Sequence, residues 1–391
     1  MPPVSVPGKR VSWVELYLDL IFVLAVGRLA HVIFAEPETS SVWVALGLFV
    51  ILWWTWIGFA VLYNRHGRDA PAQRLLFLAG SVPAGVAAVA IEPASEGRST
   101  VFALSMAVTR LVLAGAHAGL GWRDVLGRRI SRAYLTSAAA FLVSIWMPGP
   151  WRYVLWAVAV GGESNALLTE DRAAARRARH DHDPRALVPV DPAEALDPHH
   201  FAERFGLFLI ILLGEVVISA GDVPVSGEAG TLAGWGALAA AMVLAAALWW
   251  LYFDAAAEIN LKVLELSGGS PTMARAIFAA GHMLPAFALI IIAAGLGLLL
   301  EGDPPQIAYW LACVGIGIYL AGTRVFMGAS SRAGGVIRVV LLVATFQLAR
   351  LSDVLSAHGY VWLLMAWTVM CAALASVQSH RRDPTDNGLR R

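Results

Sequence analysis

Charge is scarce in this chain. Only 15% of its 391 residues are Asp, Glu, Lys or Arg, where a soluble domain carries roughly 25%. A water-soluble barrel or bundle of this length needs far more polar surface, so that class is excluded. Cysteine is nearly absent. Cys313 and Cys371 both lie in apolar stretches and make no case for a disulfide framework or a thiolate metal site. Lysine is also nearly absent, two residues beside 27 arginines, and with the Ala and Gly load this is the bias of a high-GC bacterial genome. There is no Walker loop, no G-x-S-x-G, no C-x-x-C and no H-E-x-x-H, so no phosphate cradle, nucleophile elbow or zincin site is indicated. No cofactor is implied. The net charge of +1 argues for no nucleic-acid partner.

What the chain has is apolar length. Hydrophobic residues make up 58% and mean hydropathy is +0.65. Twelve apolar stretches fall near 15–34, 41–63, 74–91, 101–121, 132–147, 151–168, 202–220, 232–254, 275–299, 306–326, 335–356 and 359–378. Each is long enough, or nearly so, to cross a ~30 Å hydrocarbon layer as a helix. The expected fold class is an all-α integral membrane protein of about 12 transmembrane helices, with the lipid bilayer as its first partner. The first stretch contains Glu15, Asp19, Arg28 and His31. That is wrong for the apolar region of a cleaved signal peptide, so it is expected to stay as a helix.

The stretches repeat. Leu52-Trp53-Trp54 and Asn64 recur as Leu248-Trp249-Trp250 and Asn260 at the same internal spacing. Glu15 opens the segment before the first copy and Glu203 the segment before the second. Arg74, Pro83 and Thr109-Arg110 answer to Arg275, Pro285 and Thr323-Arg324. The offset grows along the chain, as it does when loops differ in length and helices do not. Two six-helix repeats are expected: residues 1–168, a linker at 169–200, residues 201–378, and a tail at 379–391. Basic residues gather in the linker, the tail and alternate loops. The other loops are acidic, with Glu36, Glu38, Glu92, Glu96, Asp222, Glu228, Glu301 and Asp303. That asymmetry places both termini on the cytoplasmic side of a bacterial inner membrane and makes the repeats parallel. The Ala- and Gly-rich spans permit close helix packing and homo-oligomers without requiring them.

The linker is polar, with a run of Arg172, Arg176, Arg177, Arg179, His180, Asp181, His182 and Asp183 followed by prolines. It reads as a solvated, positive-inside segment.

Ionisable residues at membrane depth are costly and are functional candidates by default. Glu15 and Asp19 lie about 40° apart on one helix face, with Arg28 and His31 on the opposite face and roughly 20 Å or more further along. Polar groups on both sides place this helix among other helices or water. In the seventh stretch Glu203 marks the entrance, and Glu215 lies about 18 Å deeper, past the midplane. Arg204 shares a face with Glu215. Arg28, Arg110 or Arg324 is the expected partner of Glu215, the alternative being a neutral, protonated carboxyl, since burial raises its pKa. Arg110 and Arg324 are repeat mates, and His282 stands three residues before Pro285. For Arg110 and Arg324 the simpler reading is a structural ion pair to an acidic helix; for His282 it is a hydrogen-bonded packing histidine. His200-x-x-Glu203 has the i, i+3 spacing of helical metal motifs. If the first and seventh stretches meet, Glu15, Asp19, His200 and Glu203 would converge. The simpler account is an acidic helix start and a salt bridge to Arg204.

Trp13-Val-Glu15-Leu-Tyr17-Leu-Asp19-Leu-Ile-Phe22-Val resembles the opening of the bacterial low temperature requirement A (LtrA) family, with its E-L-[FY]-x-D-L-x-F-V pattern. His200-Phe-Ala-Glu203-Arg204-Phe-Gly206-Leu-Phe and Leu213-Gly214-Glu215 are similar to that family's H-x-x-E-R-F-G-L-F and L-G-E blocks. Trp53-Trp54-Thr-Trp56, Asn64-Arg65 and Leu248 to Asp254 also match. The likeness covers nearly the whole chain. It implies a multi-pass membrane protein linked by name to growth in the cold, and supplies no reaction. A shorter likeness joins Leu18-Asp19-Leu-Ile-Phe22-Val-Leu-Ala-Val to the first helix of the lysosomal-type potassium channel family.

These readings favour a channel or carrier for H+ or a small monovalent cation. Glu15, Asp19 and Glu203 would form its mouth, Glu215 its deep titratable group, and His31 and His282 secondary relays. The rivals are a membrane enzyme or metal-dependent lipid-modifying protein built on Glu15, Asp19, His200 and Glu203, and a structural or sensory membrane protein whose charges lock helices.

Overall fold

The computed structural model describes residues 10–68, 70–120, 125–167, 195–222, 231–254, 256–323 and 332–380. Arg324, linker residues 169–194 and the end of the tail lie outside them. The described residues are helical nearly throughout. The helices are α1 (Trp13–Ala35), α2 (Thr39–His66), α3 (Pro71–Val89), α4 (Ile91–Ser95), α5 (Thr100–Leu120), α6 (Val125–Ser144), α7 (Gly149–Leu167), α8 (Pro198–Gly221), α9 (Leu232–Phe253), α10 (Ala257–Leu266), α11 (Pro271–Ala274), α12 (Met283–Leu300), α13 (Gln306–Gly322), α14 (Arg332–Leu348) and α15 (Ala357–His380). A π-helical turn, Arg275–Ala279, joins α11 towards α12, and a 3-10 turn, Ala349–Asp353, follows α14. The described residues of the twelve apolar stretches are largely helical, but the stretch near 275–299 begins in the π-turn and the one near 335–356 runs into the 3-10 turn. Among the described residues seven helical segments are long and apolar enough to cross a membrane, and Gln306–Gly322 is a shorter apolar helix.

Local chemistry sets the helix starts. Pro71 takes the first turn of α3, where its missing N–H costs nothing. Thr231 caps α9 by accepting from the Gly234 N–H at 3.2 Å. Asp197 caps α8: its Oδ1 accepts from the His199 and His200 N–H groups at 3.0 and 3.2 Å. Pro198 then opens that helix. Gly269 has a φ of +72°, and a Cβ there would stand 2.1 Å from the Leu196 carbonyl oxygen. Only glycine lets that strand of backbone close on Leu196, whose N–H donates to the Gly269 carbonyl at 2.9 Å.

Two compact units divide the residues. The first comprises residues 1–29, 44–208 and 260–280; the second comprises 30–43, 209–259 and 281–391. In the first unit α5 packs on α3 and α6, and α6 on α7. Its centre is aromatic. Trp56 stacks on Phe208 at 4.3 Å and meets Phe205 edge-on at 4.9 Å, while Trp53 lies 5.6 Å from Trp56. Trp53 donates its indole N–H to the Ala279 carbonyl at 2.8 Å, at the end of the π-turn. In the second unit α12 is buried almost along its whole length and packs on α13. Gly295 makes that approach: a Cβ there would sit 2.8 Å from the Ala312 nitrogen.

A buried charge cluster as candidate functional site

Four ionisable side chains meet in the interior of the first unit. Glu15 and Asp19 come from α1, one turn apart. His200 and Arg204 come from α8, also one turn apart. Helical spacing puts each pair on a single face, and the two faces meet. Arg204 Nη2 lies 2.8 Å from Asp19 Oδ1, and Nη1 lies 3.6 Å from Glu15 Oε1. His200 Nε2 stands 3.3 Å from the Glu15 carboxylate. All four residues are fully buried.

Helix α2 supplies neutral donors. The Trp56 indole N–H donates to Asp19 Oδ1 at 2.7 Å, and the Arg204 guanidinium lies 5.7 Å from the Trp56 ring. Asn64 ties the cluster to the start of α8. Its carbonyl accepts from the Asp197 N–H at 3.0 Å, and its amide donates to the Asp197 carbonyl at 3.0 Å. The same amide nitrogen lies 3.1 Å from His200 Nδ1. Because the Asn64 oxygen is engaged by a backbone N–H, its NH2 must face the ring. Nδ1 is then the acceptor, and the imidazole proton sits on Nε2, towards Glu15. This assignment follows from the bonding pattern. The Tyr63 ring stacks on His200 at 5.7 Å, and Ser12 donates through its N–H and hydroxyl to Glu15 Oε2 at 2.9 and 3.1 Å.

The donors are unevenly spread. Trp56 and Arg204 both address Asp19 Oδ1, and Ser12 addresses Glu15 Oε2. Asp19 Oδ2, Glu15 Oε1 and Arg204 Nε and Nη1 are buried without a hydrogen-bond partner. Interiors normally satisfy such atoms. A buried network left partly open is a place where a proton, an ion or water completes the bonding. With His200 in the Nε2–H tautomer, the formal charge is −1: two carboxylates against one guanidinium.

The other sequence-derived candidates are placed elsewhere. Glu203 does not join the cluster: it is exposed, about 100° round the helix from buried Arg204. The expected convergence of three carboxylates and a histidine is therefore corrected to two carboxylates, a histidine and an arginine. Among the described residues no group of three or more His, Cys, Asp and Glu side chains is placed to hold a metal ion. Arg28 pairs with Glu92 at 2.9 Å on a half-exposed surface. Arg110 pairs with Glu163 at 2.5 Å, both fully buried, and donates to Ser137 at 2.9 Å. The guanidinium lies 4.2 Å over the Phe141 ring. Glu215 accepts from the Ser219 hydroxyl, one turn on along the same helix, at 3.1 Å. Arg324, the third arginine expected near Glu215, lies outside the described residues. His31 is exposed and stacks on Phe34. His282 is buried and lies 2.9 Å from the Tyr252 hydroxyl through Nε2.

Asn64 stands in the sequence as a repeat marker and Trp56 only in a block shared with the family, and neither position by itself points to the cluster. The usable signal was the matching i, i+4 spacing: Glu15/Asp19 on one helix and His200/Arg204 on another are complementary pairs of the same pitch. Glu163 is an acidic residue at membrane depth and was the natural partner for Arg110.

The chain is 28% identical over 353 residues to an uncharacterized protein, RA0937, of Rhizobium meliloti (strain 1021), an alignment that covers 87% of this chain and 83% of that protein. No solved structure matches it. The family model described as bacterial low temperature requirement A protein (LtrA) matches residues 10–376. That span takes in both glutamate blocks and all four residues of the cluster, and the chain, a multi-pass membrane protein, belongs to the LtrA family.

Proposed function

We propose that the protein is a channel or carrier for H+ or a small monovalent cation, with Glu15, Asp19, His200 and Arg204 as its exchanging centre. The observation that carries this reading is the orphaned oxygen of Asp19. Oδ1 holds both donors while buried Oδ2 holds none. A site of formal charge −1 away from water is expensive unless it takes up one positive charge. Oδ2 is where a proton or a small cation would sit; Glu15 Oε1 makes no hydrogen bond but already has His200 Nε2 at 3.3 Å and Arg204 Nη1 at 3.6 Å. Glu215 serves as a second titratable group, with His31 and His282 as secondary relays and Arg110 and Arg28 as fixed countercharges to Glu163 and Glu92.

The reading carries an architecture with it. Two parallel six-helix repeats, residues 1–168 and 201–378, flank a cytoplasmic linker in a bacterial inner membrane, with both termini cytoplasmic. Support comes from the repeated Trp-Trp and Asn markers and from the uneven distribution of arginine. The rival metal-dependent enzyme has less support, because the guanidinium of Arg204 beside both carboxylates repels a divalent cation.

Proteoliposome flux tests the reading. Flux is driven by a pH gradient and, separately, by a K+ gradient, with wild type, Asp19→Asn and Glu215→Gln compared. The expected result is flux in wild type that Asp19→Asn abolishes while the fold is retained. Equal flux from vesicles with and without well-folded protein would overturn it.

A further inference from the structure

A second buried polar group lies in the first unit, on α2, α5 and α6, and shares no residue with the charge cluster. His117 of α5 is fully buried, and neither ring nitrogen has a hydrogen-bond partner. The Tyr134 ring of α6 stacks on it at 5.9 Å and 19°, and the Tyr134 hydroxyl is also buried and unpartnered. His66, half-buried at the end of α2, meets the His117 ring edge-on at 6.4 Å.

Three open polar atoms in one place are unusual. A neutral imidazole always presents one donor and one acceptor, and a phenol presents both. Leaving such atoms dry forfeits the hydration they had in the unfolded chain. Proteins satisfy them with protein groups or with buried water, which takes two to four polar partners. The neighbouring serine hydroxyls of α6 have partners of their own. Ser131 donates to the Ala114 carbonyl and Ser137 is engaged by Arg110. The Tyr134 hydroxyl abuts α2 at Gly58, where a Cβ would fall 2.1 Å from it, so a larger residue would close the space.

We propose that His117 and Tyr134 line a second buried polar site that holds ordered water, and that His117 exchanges protons with half-buried His66 through it. The transfer is balanced: one imidazole nitrogen of His117 accepts a proton from the His66 side as the other releases its own to the bound water, which passes one on in turn. The charged groups facing this site are Arg65 and His66 of α2, with Arg110 of α5 and Glu163 of α7 bearing on Tyr134. Arg110 and Glu163 cancel as an ion pair. The site makes no use of Glu15 or Asp19 and stands whether or not the protein transports ions.

Pulsed hydroxyl-radical labelling of the full chain in nanodiscs, read by mass spectrometry, tests for the water. Radicals made from bound water label the side chains that touch it. Tyr134 is expected to be labelled. Tyr319 and Tyr360 are not, since one donates to the Leu248 carbonyl and the other bonds Cys313. Tyr134 as silent as those two would overturn the site. His117→Phe keeps the stacked ring and is expected to abolish the Tyr134 label; persistence of the label would remove His117 from the site. If that variant fails to fold, Tyr134→Phe with 15N spectra of the His117 ring replaces it. A shift of both ring nitrogens is expected, and unchanged signals would overturn the shared water. For the relay, His66→Gln is expected to slow solvent exchange of the His117 ring proton, and an unchanged exchange rate would overturn it.

Discussion

Arg204 holds Asp19 by one oxygen only: Nη2 is 2.8 Å from Oδ1, and Oδ2 has no donor. Asparagine can therefore replace Asp19 without losing a bond, since its carbonyl oxygen accepts from both Arg204 and Trp56. Asp19→Asn also cancels the formal charge of the cluster. It is expected to keep the thermal unfolding midpoint in detergent within about 1 kcal/mol of wild type and to stop flux. Arg204→Met leaves two carboxylates buried together and is expected to cost about 3–5 kcal/mol. Equal losses of stability for both variants would contradict this geometry.

Asn64 decides the tautomer of His200. Asn64→Leu removes the donor at Nδ1 and both bonds to the Asp197 backbone. The expected cost is about 1–3 kcal/mol for each buried group left open. In 15N spectra of the His200 ring, wild type should show the proton on Nε2, and the variant a mixture of tautomers. A wild-type ring protonated on Nδ1 would sink the assignment.

The Arg110–Glu163 pair is expected to be structural. Arg110→Met or Glu163→Gln alone strands a buried partner and costs about 3–5 kcal/mol, while the double change recovers much of that loss. Unfolding midpoints of the four proteins give the coupling. Additive losses would show that the two side chains do not act as a pair.

Gly295 sets the spacing of α12 and α13 in the second unit. The first atom a new Cβ meets is backbone, at Ala312, and backbone cannot turn aside as a side chain can. Gly295→Ala is expected to destabilise by about 1–3 kcal/mol. Gly47 of α2 is exposed with nothing within 4 Å, so Gly47→Ala should stabilise by roughly 0.5–1 kcal/mol. The comparison is read from the two midpoints.

Much of the fold was legible because membrane helices announce themselves one at a time. Each apolar run must satisfy its own backbone, so the stretches near 15–34 and 232–254 could be bounded without knowing any neighbour. The site was half legible. Glu15 and Asp19 share a face by periodicity alone. Their partners did not follow, because His200-x-x-Glu203 competes with His200-x-x-x-Arg204 on paper, and only packing shows that Glu203 faces outward. Glu215 was matched to distant arginines on charge, while a serine one turn away on its own helix is the group that reaches it. The π-turn at Arg275–Ala279 leaves no mark in residue type that periodicity can read, and its role is visible only through Trp53 and Ala279.

Helix α2 touches its surroundings through Trp53, Trp56 and Asn64, and each of these contacts is made by an uncharged N–H. Trp53 reaches the Ala279 carbonyl, Trp56 an aspartate, and Asn64 both a backbone segment and an imidazole. Uncharged donors orient their acceptors without adding to the electrical balance around them. Under the proposed exchange, Asp19 or Glu15 would gain and lose a positive charge while the clamps on α1 and α8 stay in place. A frame of lysines in those positions would instead add its own charges to the balance around the carboxylates.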